Sequence, residues 1–218
     1  MLGILIPVKD LAQAKQRLAP ALPQEARTLL ARAMMEDVFC AVAGIRTAVP
    51  VFVISNDSHA LAAARARGWK CFPETRQLSE SHSVDAASGL CAARGVTALL
   101  RLPIDIPLVR AGDVEAVLAA CPAAPGAVLV PSRSGKGTNA LLRTPPDVFP
   151  SRFGPDSRRL HLEEARLRGA RIRALRNPRI ELDVDDEADL RALAAHEGLG
   201  FHTAAALREL LAAPCPRP

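Results

Sequence analysis

Aromatic residues are almost missing from this 218-residue chain, which has no tyrosine, one tryptophan and six phenylalanines, 3% in all. Single-stranded nucleic acid is held largely by stacking bases on aromatic rings, so little here could hold it. Lysine is scarce as well, at Lys9, Lys15, Lys70 and Lys136 only, and the net charge of +5 is therefore an arginine charge. General arginine enrichment is weak grounds for a nucleic-acid partner. No apolar run approaches the eighteen or so residues of a membrane span. MLGILIPVKD has no charged lead before its short apolar run and reads as a first strand. Neither nucleic acid nor membrane is expected as a partner, and the cytoplasm is the expected compartment. The five cysteines, Cys40, Cys71, Cys91, Cys121 and Cys215, are scattered, odd in number and without a CxxC pair. They suit reduced core positions and not a disulfide frame or a zinc site. A GxxxxGK[ST] loop is also missing. Gly135, Gly137 and Ala140 spell GxGxxA, but that motif should follow the first strand and open a helix, and here NALLR reads as a strand.

What is present is an alternation of strands and helices. At 49% hydrophobic and 23% charged residues the chain has the make-up of a folded protein with a full core. Residues 1–8 read as a strand; Leu30, Met34, Val38 and Val42 recur every four residues in a helix from Pro23 to Ala43, with Met34 and Met35 as core. VFVIS (51–55) reads as a buried strand, and Asn56, Asp57 and Ser58 can cap a helix ending before Gly68. Lys70–Phe72 is a short strand, a helix starts near Val84, and His82 among serines reads as solvated. Strands near Leu99, at 126–131 and at 171–175 alternate with helices at 112–121 and 157–168, and a last helix covers 203–213. This pattern predicts one α/β domain over 1–213 with a mostly parallel sheet, followed by a frayed Pro-rich tail at 214–218.

Three charged segments interrupt the apolar pattern. In LLRLPIDIPLVR (99–110) a lone carboxylate, Asp105, stands between Ile104 and Ile106. Burying it unpaired would cost several kcal/mol. Its partner is a ligand or metal ion at a strand end, or else it caps the helix near Asp113 or closes a turn with Pro107. KDLAQAKQRL carries Lys9, Lys15 and Arg17 straight after the first strand, as a phosphate cradle or a solvated loop. In RIELDVDDEADL, Asp183 and Asp185 alternate with Leu182 and Val184, and Asp186, Glu187 and Asp189 open a helix. Capping explains some of these acids, but so many together call for a cation. Between them lies a long Gly-, Pro- and Ser-rich stretch, 132–157, with Lys136, Thr138 and Asn139. It ends in FGPDS, which sets Ser157 at a helix start, where amides and the dipole favour phosphate.

PVKDLAQAKQRLAP, PIDIPL, SGKGTNALL, FGPDS and LDVDDEADL, in this order and spacing, resemble the 2-phospholactate guanylyltransferase family of coenzyme F-420 biosynthesis over residues 1–195. The resemblance implies a three-layer nucleotidyltransferase fold, glycosyltransferase-A-like and Rossmann-like. It implies that the phosphate of 2-phospholactate, phosphoenolpyruvate or 3-phosphoglycerate attacks the α-phosphorus of GTP, releasing pyrophosphate. It implies Asp105 and Asp183 as ligands of two Mg ions, and Lys15 beside them in catalysis. Thr138, Gly154 and Ser157, with Asn139 and Lys136 of the same loop, would hold the acid. Lys9, Lys15 and Arg17 would steady the triphosphate. Partners would be GTP, the acid and the downstream transferase that receives the GDP-linked product, with a homodimer left open.

Two positions depart from the family pattern. Asp85 in Val84-Asp85-Ala86-Ala87-Ser88 stands where relatives show the Asn of LNxAL, which bears on nucleotide choice if this segment reads the base. Lys136 adds a cation that would suit a more negative or differently shaped acid. A second reading keeps the fold and changes the substrate to a sugar phosphate or a molybdopterin. A third makes the chain a non-catalytic nucleotide- or nucleic-acid-binding module, and the clustered carboxylates argue against it.

Overall fold

A computed structural model describes residues 1–212, for Ala212 the backbone alone. Its strands are β1 (Leu2–Val8), β2 (Val51–Ser55), β3 (Lys70–Pro73), β4 (Ala98–Arg101), β5 (Gly126–Pro131), β6 (Thr138–Thr144) and β7 (Arg171–Ala174). They form one sheet in the order β3-β2-β1-β4-β6-β5-β7. All pairings are parallel except the two that β6 makes, with β4 and β5. The strands read as unbroken apolar runs because both faces are covered. Ile4, Ile6 and Val8 of β1 and Val51 and Val53 of β2 lie in the cluster formed with α1 (Gln24–Ala43), α2 (Ser58–Ala66) and α4 (Ala111–Ala119). Leu5, Phe52 and Ile54, one residue out of phase, meet Val84, Ala87 and Cys91 of α3 (Glu80–Ala92) on the other face. Farther along that face α5 (Ser157–Leu167) covers Leu129 and Leu141 through Ala165. These are the three layers and the mostly parallel sheet that the sequence predicts.

Chain direction around β1 decides where a ligand fits. From β1 the chain passes to β2 on one side, and later returns to place β4 on the other. The carboxyl ends of β1 and β4 therefore open on a crevice at the topological switch point. Lys9 follows the first of these ends, and Arg101 closes the second.

Several sequence expectations shift. α3 starts at Glu80 and not near Val84, because the Ser79 side chain accepts from the His82 amide and caps a polar first turn. A four-residue helix, α6 (Pro178–Glu181), precedes the acidic segment, capped by Asn177. The cysteines are not all core residues: Cys91 is buried, Cys71 and Cys121 are half-buried, and Cys40 is exposed, all four as free thiols. Cys215 and the 214–218 tail lie outside the described residues. His82 is exposed, and Met34 and Met35 are buried, as expected. No helix among the described residues is long and apolar enough to cross a membrane.

The acidic segment is followed by α7 (Glu187–Ala194) and α8 (Phe201–Ala212). Leu193 of α7 and Leu207 of α8 pack with Leu30 and Met34 of α1 and Leu182 and Val184. The start of α8 rests on Asp37 of α1, a buried carboxylate that accepts from the amides of His202 at 3.0 Å and Thr203 at 2.7 Å. The backbone approaches so closely that a Cβ on Gly200 would overlap the Asp37 carboxyl group. Asp37→Ala removes a cap and strands two helix amides, an expected loss of about 1–2 kcal/mol. Urea denaturation of this variant beside Asp37→Asn, which keeps one acceptor oxygen, checks it, the Asn variant losing less.

Candidate active site

The crevice holds two adjoining cavities, of about 870 and 560 Å³, which share Lys9, Arg101, Asp105 and Asp185 among their walls. The larger is closed by Thr138, Asn139, Gly154, Ser157 and Asp183, with Lys136 on the glycine loop. The smaller is walled by the first loop, Asp10 to Arg17, with Asn56 and Gln77.

Asp105 lies just past β4, and neither a helix cap nor a turn accounts for it. The α4 start is capped by its own Asp113, which accepts from the Arg110 amide. Lys15 is the partner of Asp105, with Nζ 2.8 Å from Asp105 Oδ2 and 3.1 Å from Asp185 Oδ1. Lys15 is not on a solvated loop: only 9% of its side chain is exposed, and its backbone lies in the left-handed region at φ 55° between two 3-10 turns. Burial opposes its charge, but the two carboxylates more than compensate and raise its pKa. Burial likewise works against ionised Asp105, and Lys15 and then Arg101 overcome it, so that the Asp105 pKa falls. Lys9 and Arg17 remain largely exposed, Lys9 3.6 Å from Glu80 and Arg17 paired with Asp185 and Asp186.

Asp183 sits beside this cluster because the Val184 amide donates to the Asp105 carbonyl at 3.0 Å. No cation among the described residues touches it. Burial first, then the charge of Asp105, pushes its pKa up to about 6, against the opposing hydrogen bond from Asn139. A bulge makes that hydrogen bond available: Val130 pairs with Ala140 and Pro131 with Thr138, leaving Asn139 out of the ladder. The Asn139 amide donates to the carbonyls of Ile180 and Glu181 and to Asp183 Oδ1, so Asn139 is a clamp on the acidic segment.

Ser157 is buried at the start of α5, and Gly154 stands at φ +122°, open only to glycine-like backbones. The amides expected to be free there are partly spoken for, that of Ser157 by the Gly154 carbonyl and that of Arg158 by the Lys136 carbonyl. Asp85 is not brought into either cavity. Its oxygens accept from the Ser151 amide at 3.0 Å and from buried Arg143 at 3.2 Å, so it fastens the turn after β6.

Two residues escaped the sequence reading. Arg101 closes β4, buried, and lies 4.2 Å from the centroid of the Phe153 ring. It pairs with Glu80 and donates to the Asn139 carbonyl at 3.0 Å. His161 of α5, fully buried, faces Thr138. The signal for Arg101 is the one that marks Asp105, a charge between two leucines of an apolar run, whereas nothing in "RLHLE" sets His161 apart from the rest of its helix.

The donor set bears on a metal. The larger cavity is lined by Glu80, Asp105, Asp156, Asp183, Asp185, Asp186 and Asp189 against Lys9, Arg17, Arg101, Arg133 and Lys136. No group of three or more metal-ligating side chains is gathered among the described residues. An excess of hard carboxylate oxygens, two of them on neighbouring Asp105 and Asp183, fits Mg, which is commonly held by one or two carboxylates with phosphate and water completing the shell.

The family described as guanylyl transferase CofC like matches residues 2–213. The chain belongs to that family. A phosphoenolpyruvate guanylyltransferase of Rubrobacter xylanophilus is 35% identical over 199 residues, covering 90% of this chain and 95% of the relative. A 2-phospho-L-lactate guanylyltransferase of Methanothermobacter thermautotrophicus is 34% identical over 206 residues, 94% of this chain and 89% of that one. Among solved structures, one from Desulfovibrio desulfuricans G20 ascribed to the nucleotide-diphospho-sugar transferases superposes with a TM-score of 0.75 at 20% identity, covering 97% of this chain and 95% of its own. CMP:2-keto-3-deoxy-manno-octonic acid synthetase complexed with CTP gives 0.57 at 16%, covering 89% and 97%. The fold is thus that of the nucleotidyltransferases expected from the sequence, and the enzyme class is guanylyl transfer.

The charge arrangement generates two predictions. Asp183 binds its proton more tightly folded than unfolded, with pKa about 6 against 3.8, so its ionisation costs stability that is lost as pH rises between these values. Asp183→Asn should therefore be more stable than the native chain above pH 6, by about 1–2 kcal/mol after solvent screening, and no more stable below pH 4. Thermal melts without divalent ions at pH 4 and pH 8 check the sign. Lys15→Met leaves Asp105 without its cation and should lose about 2 kcal/mol, with Mg raising its Tm more than that of the native chain.

Proposed function

We propose that this protein condenses GTP with a small phosphorylated acid, giving a GDP-linked acid and pyrophosphate. The observation that carries the reading is the convergence, at one switch-point crevice of a guanylyl transferase family member, of Asp105 and Asp183 with Thr138 and Ser157 across the larger cavity. An oxygen of the acid's phosphate attacks the α-phosphorus of GTP, and the bond to the bridging oxygen of the leaving pyrophosphate breaks. The attacking phosphate is already ionised at neutral pH, so no general base is required, and catalysis rests on alignment and charge.

Asp105 and Asp183 would hold Mg, one or two ions, with the triphosphate supplying further oxygens. When bound, Mg neutralises charge on the triphosphate and on the departing pyrophosphate. Lys9 and Arg17, exposed at the mouth of the smaller cavity, steady the triphosphate there. Lys15 spends two of its three N–H donors on Asp105 and Asp185 and keeps the third for a phosphate oxygen in the smaller cavity. Thr138, Gly154 and Ser157 receive the acid, with Lys136 at the rim, and Asn139 serves by aiming Asp183. Because Asp85 is occupied by Ser151 and Arg143, the exchange of Asn for Asp carries no argument about the base. The reaction would take place in the cytoplasm, its product passing to the transferase that moves the acid onto the deazaflavin alcohol.

Pyrophosphate release with GTP and Mg, offering 2-phospholactate, phosphoenolpyruvate and 3-phosphoglycerate separately and with ATP and CTP as controls, tests the reading. One acid with GTP should give turnover, and Asp105→Asn and Asp183→Asn should each abolish it while keeping a cooperative melt. Near-native turnover in either variant, or release with none of the acids, refutes the assignment.

A further inference from the structure

Thr138 of β6 lines the larger cavity, and its hydroxyl meets a buried ring. The ring is His161, fully buried on α5, with Nδ1 3.1 Å from Thr138 Oγ1. Its other nitrogen, Nε2, stands 2.9 Å from the backbone nitrogen of Arg152. A backbone amide can only donate, so Nε2 has to accept and carries no proton. In the neutral ring the proton then sits on Nδ1, which donates to Thr138 Oγ1.

We infer that His161 is a positioning residue: by donating to Thr138 Oγ1 it turns the threonine's own hydroxyl proton into the cavity, toward an anionic phosphate oxygen. The inference rests on the reading that the phosphorylated acid occupies this cavity. Three further observations support it. Burial first, then Arg143, Arg101 and Arg152, press the His161 pKa down to about 3, so the ring stays neutral through the physiological range. The ring is held from the side by Phe153, edge-on at 5.0 Å between centroids. Arg152, whose amide it accepts, directly precedes Phe153 and Gly154 of the cavity wall, so one imidazole fixes both the hydroxyl and the loop opposite. A threonine left to itself could turn its proton to any neighbouring acceptor and offer the phosphate a lone pair.

Imidazole ¹⁵N spectra of the labelled, ligand-free protein test the proton's place without any reaction. The expected result is a pyrrole-type Nδ1 and a pyridine-type Nε2 for His161 between pH 5 and pH 8, and a proton on Nε2 or an imidazolium overturns the inference. Titration with inorganic phosphate and with phosphoenolpyruvate should shift the Nδ1 resonance, and no shift with either overturns it even if guanylyl transfer proves to be the wrong reaction. In turnover assays His161→Ala should raise the KM for the acid about tenfold or more, the loss of one hydrogen bond to a charged group, with the KM for GTP within about twofold. His161→Asn, whose amide can replace Nδ1–H, should recover most of it. Thr138→Val should cost as much as His161→Ala and add nothing to it, whereas additive losses, or equal rises in both KM values, overturn the assignment.

Discussion

The hydrogen bond from the Val184 amide to the Asp105 carbonyl is the constraint on which the site depends. It joins the end of β4 to a segment about eighty residues later in the chain, and so sets Asp183 beside Asp105 whatever their charges prefer. Like charges on partly buried neighbours demand relief. Lys15 provides it for Asp105 and Asp185 from a third segment, with a left-handed backbone that costs on the order of 1–2 kcal/mol for an L-residue. Asp183 has no such cation beside it among the described residues, so burial and then the charge of Asp105 raise its proton affinity while that of Asp105 falls.

A segment of like charges needs anchors, and they lie behind it. Buried Asp113 of α4 takes the Arg179 guanidinium through two bonds, at 2.7 and 2.6 Å, and the Asn177 amide at 2.8 Å. Glu181 accepts from Arg176 and from the Asn177 backbone. The bonds to Asp113 hold α6 to α4, and the Asn139 amide ties it to β6 of the sheet. The bulge that frees Asn139 also leaves Thr138 as the last β6 residue of the ladder, so a single irregularity supplies one residue to the acids and one to the cavity opposite.

Much of this was legible in the residues. VFVIS and GAVLVP coincide with β2 and β5 because a strand covered on both faces must be apolar throughout. Asp105 and Asp183 stood out for the converse reason, as charges in apolar company. What could not be read were pairs set by strand register. Arg101 meets the Asn139 carbonyl and Glu80 only because β4 lies against β6 and α3 crosses above, and Arg143 finds Asp85 for the same reason. The start of α3 was missed because its first turn is polar and its signal, Ser79, is a cap and not a period. From its local residues Lys15 reads as a cation of the first loop, and only the family resemblance sets it beside Asp105 and Asp183, since a sequence gives no sign that a lysine is buried until its carboxylates are located.

Arg101 shows why the basic surface alone does not explain recognition of anions here. Burial lowers its pKa to about 10, still well above neutrality, so it is a permanent charge. It is nevertheless already committed to Glu80, the Asn139 carbonyl and the face of Phe153. Lys15 is committed likewise, and Arg133 is paired with Asp189 at 2.8 Å. On the proposed reading an incoming triphosphate enters a crevice whose cations are mostly matched and whose walls keep an excess of carboxylates. Its charge must be met by cations brought with it or by release of existing partners. On the proposed reading the carboxylates are part of nucleotide recognition and not an obstacle to it, because they give such cations a place to sit between protein and phosphate. A purely basic groove would bind the same anion without distinguishing a metal-bound triphosphate from any other polyanion.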